Sequence, residues 1–211
     1  MIKKLRIPVG LLAALCAFAA WADEACTCKD IPQILLRIQE AATAVQVFSD
    51  EIAGLEGAAP TGPPIPYSKS GYESVRDAAK RALGAVRDAS DVKDEGFDDS
   101  HTNDLCMTTV NATNACMAKS LAAHEGIHKA ACSKTVGLNQ VIKSLTFQNR
   151  FVSNGASMID YCAEEIEGYM EEIVFLGAEI ERLEHSPDPA CQPRMGDWEP
   201  RAYTSDEGVM L

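Results

Sequence analysis

The stretch IPQILLRIQEAATAVQVFSDEIAGL, residues 31–55, decides the fold. Its apolar side chains Ile31, Ile34, Ile38, Ala41, Val45, Phe48, Ile52 and Leu55 fall at alternating spacings of three and four. On a helix these positions form a single seam, and a seam of that length calls for a second helix packed lengthwise against it. Asp30 ahead of Pro32 is a start signal and Gly57 a stop signal.

A second seam lies toward the other end of the chain. In a helix beginning near Ser157, Ile159, Ile166, Ile173 and Ile180 occupy one heptad position, and Cys162, Tyr169, Leu176 and Leu183 the other. Two such helices most simply pair with each other. Self-association would use the same stripes, so a helix-mediated partner or a homo-oligomer stays open. Between the seams, Ser70 and Glu73 resemble a capping box. Tyr72, Val75, Ala79, Leu83 and Val86 then mark one helix face as far as Ser90. Residues 91–104 are acidic and read as a solvated loop. The Ala-rich run at 114–133 reads as a third helix. Strand signals are confined to Met107–Val110.

The expected fold is all-α: a helical bundle with two long heptad-patterned helices, stapled by disulfides, with little or no strand. It divides into a signal peptide (1–22), an N-terminal heptad helix (23–57), a Pro/Gly-rich connector (58–71), a helical domain (72–185) and an irregular tail (186–211).

Composition narrows the function. With 211 residues and 46% hydrophobic side chains, the chain can bury a core of its own. Its net charge of −12 argues against a nucleic-acid partner, because phosphate affinity needs a dense Lys/Arg surface. No run of 18 or more apolar residues occurs, so no membrane span is expected. Lys3, Lys4 and Arg6, the apolar run Ile7–Trp21 and the small-x-small triplet Ala20-Trp21-Ala22 form a secretory signal, with Asp23 as the mature N-terminus. The mature protein is therefore expected to be exported, periplasmic or extracellular. Without those three cations its net charge falls to about −15.

Export favours paired thiols. Loss of Cys16 leaves Cys26, Cys28, Cys106, Cys116, Cys132, Cys162 and Cys191, an odd number that allows at most three bridges and one leftover thiol. A Cys132–Cys162 bridge would join the third and last helices, Cys106–Cys116 would close a small loop, and Cys191 would tie the tail to Cys26 or Cys28. The connectivity stays open. Cys26-Thr27-Cys28 lacks the βαβ surroundings of a redox pair.

One motif carries chemistry. His124-Glu125-Gly126-Ile127-His128 lies within the third helix, and histidines four apart project from one face about a turn apart. That suits two imidazole nitrogens meeting one tetrahedral ion. Glu125 points to a neighbouring direction, where a carboxylate can take a proton from an activated water. A third ligand is open among Glu164, Glu165 and Glu167, or Cys132 and Cys162. With both histidines, the two cysteines would make a closed, structural four-ligand site. Glu165, Glu172 and Glu179 share a heptad position beside the seam, where glutamates are commonly solvated or ion-paired. His101 and His185 read as solvated. Asn111-Ala112-Thr113 is a formal glycosylation sequon. No phosphate-binding glycine loop, Gly-x-Ser-x-Gly elbow or calcium loop occurs.

With Glu165-Ile166-Glu167-Gly168-Tyr169 downstream, the sequence resembles the zincin metallopeptidases of the gluzincin branch, over about 50 residues. These join a His-Glu-x-x-His helix to a glutamate from a later helix. The resemblance implies Zn2+ held by His124, His128 and Glu165, and Glu125 as general base. It gives Tyr169 the role of donating to a carbonyl oxygen or bracing the ligand, and makes a peptide or protein the substrate. The alternative is an exported helical interaction protein whose metal site is incidental or structural.

Overall fold

The computed structural model describes residues 26–92, 99–103, 105–112, 114–135 and 156–191. The expected signal peptide and the tail beyond 191 lie outside them. The described chain is mostly helical: α1 (Ile31–Ala58), α2 (Lys69–Asp88), α3 (Ala115–Thr135) and α4 (Met158–Glu184), with a hairpin of β1 (Asp99–Thr102) and β2 (Thr108–Asn111). Among the described residues, no helix is long and apolar enough to cross a membrane.

The two heptad helices pair with each other, antiparallel. Arg182 reaches Cys26, Arg37 reaches Glu172, and Phe48 meets Tyr161, so residue numbers rise on one helix as they fall on the other. On α1 the seam is buried at Ile31, Ile34, Ala41 and Phe48. On α4, Cys162, Leu176 and Leu183 are buried, whereas the isoleucine stripe is only half-buried. Helix α3 packs antiparallel on α4 from another side, and α2 lies on α1. Each fully buried Leu or Ile of this core contributes about 1.5–3 kcal/mol.

Local chemistry sets the helix ends. Ser157 and Asp160 form a reciprocal capping box at the start of α4. Asn114 accepts from the Met117 amide at the start of α3. Helix α2 is capped by Ser68, which accepts from Gly71, and not by the expected Ser70–Glu73 pair. Asp30 turns back to accept from Thr27 and leaves the first turn of α1 uncapped by a side chain. The connector is clipped to the start of α4 by Tyr67 N–H to Ala156 O and Met158 N–H to Ile65 O, both 2.9 Å.

The hairpin corrects one expectation. Asp99–Thr102 falls in the stretch read as a solvated loop, yet it pairs with Thr108–Asn111 in the register Asp99↔Asn111 to Thr102↔Thr108. Acidic composition concealed the alternation of Ser100 and Thr102, whose hydroxyls point to α3.

Among the described residues three disulfides form and one thiol is left over, within the limit that the odd count sets. Cys28–Cys191 matches one of the expected pairings. Cys132–Cys162 and Cys106–Cys116 do not form: the bridges are Cys106–Cys132 and Cys26–Cys116. Cys132 turns toward the hairpin rather than toward α4, so it ties β1–β2 to α3. Cys162 keeps a buried thiol, which burial and the charges of Glu51 and Glu165 push up to about 12. The closed His124–His128–Cys132–Cys162 site is thereby removed, since Cys132 is oxidised.

Candidate metal centre

Helix α3 carries His124 and His128 on the face that meets α4, one turn apart. Their Nε2 atoms lie 2.9 Å apart. Glu165 on α4 brings Oε2 to 3.8 Å from each. Among the described residues these three form the group able to hold a metal ion. Both histidines are buried, and Glu165, at 18% side-chain exposure, is the most open of the three.

The outer nitrogens fix the tautomers. His124 Nδ1 lies 2.8 Å from Glu172 Oε1, and His128 Nδ1 lies 2.7 Å from Glu164 Oε1. A carboxylate accepts only, so each Nδ1 carries a proton, and a ring without a second proton presents an Nε2 lone pair. Two lone pairs facing each other at 2.9 Å, with a carboxylate oxygen beside them, repel unless a proton or a cation lies among them. Two imidazoles plus one carboxylate, each imidazole backed by a carboxylate, is a donor set that fits zinc.

The same groups perturb each other's protonation. Burial lowers the His128 imidazole, but the Glu164 hydrogen bond and the charges of Glu165, Glu125 and Glu164 outweigh it, so its pKa is raised. Burial raises Glu172, and Arg37 and His124 outweigh that, holding it below the usual carboxylate range. Tyr161, one turn before Glu165, is raised by burial and by the charge of Glu165, and hydrogen-bonds that carboxylate.

Close approach of α3 to α4 depends on Gly168. A Cβ there would sit 2.8 Å from His124 Nε2 and 2.9 Å from two ring carbons. The imidazole lies against bare backbone, and any larger side chain would occupy the space into which Nε2 points. Gly126, inside the motif, is different: nothing lies within 4 Å of its would-be Cβ.

Tyr169 stands edge-on to His124, with ring centroids 4.6 Å apart at 85°, and stacks on Phe48 at 6.1 Å. Its ring braces the histidine. Glu125 is 3% exposed and engaged by the hairpin: Ser100 Oγ donates to Oε1 at 2.8 Å and Thr102 Oγ1 to Oε2 at 2.6 Å. Thr102 in turn lies 3.0 Å from the Thr108 hydroxyl across the hairpin. The open choice among the glutamates narrows with these contacts: Glu165 faces both histidines, Glu164 backs His128, and Glu167 is exposed.

Several contributors were invisible in the motif. Glu172 shared a heptad position with Glu165, but it is fully buried rather than solvated, because Arg37 pairs with it across the seam. Opposite charges flanking the two seams were the available signal. Ser100, Thr102 and Tyr161 had none strong enough to find.

Fold and site together define a disulfide-stapled helical bundle with a buried His–His–Glu cluster. No protein-family model, curated protein or solved structure matches the chain.

Proposed function

We propose that the protein is an exported zinc-dependent hydrolase of the metallopeptidase type, acting on amide bonds. The observation that carries this reading is the convergence of His124 Nε2, His128 Nε2 and Glu165 Oε2, with both Nδ1 atoms held by carboxylates. Zinc, when bound by these three residues, would polarise a carbonyl and acidify a water. Glu125 takes the proton of the attacking water and passes it to the leaving amine. Two hydroxyl bonds from Ser100 and Thr102 orient its carboxylate and leave it lone pairs for that proton. Tyr169 holds the His124 ring in place.

The test is turnover of an unstructured protein such as casein by zinc-loaded wild type and by Glu125→Gln. Glu125→Gln is expected to keep the metal and lose at least a hundredfold in rate. A Glu125→Gln protein with full turnover rules out the mechanism. Export is supported by three disulfides in one short chain, and the intact mass of the secreted protein is expected to place its N-terminus at Asp23.

A second reading has its own support. The histidines and Glu125 are nearly closed to solvent, and Met170 and Val174 stand exposed one turn apart on the outer side of α4. These favour an exported helical interaction protein with a structural zinc clip. Zinc binding without turnover of any protein or peptide, together with elution as an oligomer, selects this reading.

A further inference from the structure

A continuous line of buried or half-buried charges crosses three helices and ends on a proposed ligand: Arg87 of α2, Glu40 and Arg37 of α1, Glu172 of α4, then His124. Resting on the zinc reading above, we propose that Arg37 is a positioning residue of the metal centre. It fixes the Glu172 carboxylate so that His124 presents Nε2, and not Nδ1, to the ion.

The geometry is that of a fork gripping a carboxylate. Arg37 Nε donates to Glu172 Oε2 at 2.7 Å and Nη2 donates to Oε1 at 2.9 Å. Oε1 also accepts from His124 Nδ1 at 2.8 Å, and Oε2 from Ser120 Oγ at 3.3 Å. Each oxygen thus accepts two hydrogen bonds, which fills the acceptor capacity of the group. Rotation of the carboxylate about its own axis would break both arms of the fork, so the lone pair offered to His124 has a fixed direction. A planar guanidinium supplies this; a lysine ammonium supplies the charge without the second arm.

Arg37 is itself held from behind. Its Nη1 donates to Glu40 Oε2 at 3.1 Å, and Glu40, only 3% exposed, also pairs with Arg87. The orientation of one imidazole on α3 therefore depends on α1 and α2, which supply no ligand. Glu164, behind His128, has a side chain 11% exposed and sits at the rim, whereas Glu172 is fully covered. The two histidines are oriented by unequal devices, and the buried one runs through Arg37.

The test uses the mature, disulfide-bonded protein, with zinc measured against a competing chelator and cobalt(II) as spectroscopic probe. Arg37→Lys keeps the buried charge balanced and loses the fork. It is expected to retain the wild-type melting temperature within a few degrees, bind zinc about tenfold more weakly, and shift the visible cobalt bands. Arg37→Met is expected to lose up to about a hundredfold. Should Arg37→Met fail to fold, the Arg37→Met/Glu172→Gln double variant removes the buried charge together with its partner. That variant is expected to fold and still bind zinc more weakly with altered cobalt bands. Wild-type zinc affinity and cobalt spectrum in Arg37→Lys and in the double variant overturn the role of Arg37 while leaving the zinc reading intact. A wild-type protein that takes up no zinc overturns both.

Discussion

At one end of the bundle, Ile31, Ile34, Met117, Leu176 and Leu183 pack around two disulfides, Cys26–Cys116 and Cys28–Cys191. At the other end, Phe48, Tyr67, Val75, Ala79, Met158 and Tyr161 pack into a cluster that includes no bridged cysteine, and Cys162 there keeps its thiol. The first end adds to its apolar packing the covalent closure of long loops, which restricts the unfolded chain. The second is held by aromatic area in edge-to-face contacts, such as Tyr72 on Tyr161 at 5.1 Å. The charged layer of Arg37, Glu40, Glu172 and the two histidines lies between them along α4. Burying that much charge requires fixed partners, and fixed partners require that both neighbouring layers stay packed.

The largest effect is expected at the stapled end. Replacing Cys26 and Cys116 by alanine opens a bridge spanning 90 residues of sequence and should remove about 4–5 kcal/mol. Denaturant unfolding measures that loss directly. A loss below about 1 kcal/mol would show that apolar packing alone holds this end, as it does the other.

A smaller effect tests the boundary between the charged layer and the aromatic end. Gly168→Ala drives a methyl group into the His124 ring, which Glu172 and Tyr169 prevent from yielding. The expected cost is about 1–3 kcal/mol in stability, with loss of zinc binding. Metal analysis after dialysis, beside a thermal melt, reads both. Full zinc occupancy in Gly168→Ala would mean that α3 and α4 need not approach so closely.

The smallest effect uses a second glycine of the same helix. Gly177 is exposed, and nothing lies within 4 Å of its would-be Cβ. Gly177→Ala should raise stability by about 0.5–1 kcal/mol and leave metal binding alone. The sign of the change in melting temperature distinguishes a glycine kept for space from one that is merely tolerated.

Legibility in the sequence divided along physical lines. The paired seams were readable because apolar period survives in the chain without knowledge of neighbours, and so were the two histidines, whose spacing is local. Disulfide connectivity was not readable: Cys132 lies one turn beyond His128, but whether it turns to α4 or to the hairpin depends on tertiary placement. Short strands such as Asp99–Thr102 carry too few side chains to show a period against an acidic background. The burial of Glu172 was hidden for a related reason. A glutamate at a seam's edge is solvated unless a cation faces it, and Arg37 is 135 residues away in sequence. Gly168 stands between Glu165 and Tyr169 in the sequence without a visible purpose, which appears only when the His124 ring is found lying over it.

Zinc content per chain, measured on the mature disulfide-bonded protein and on His124→Ala prepared identically, tests the buried His–His–Glu cluster most directly. About one zinc in the wild type and none in His124→Ala is the expected result. No zinc in either, after zinc has been offered, would contradict it and leave the facing imidazoles as part of a buried hydrogen-bond network alone.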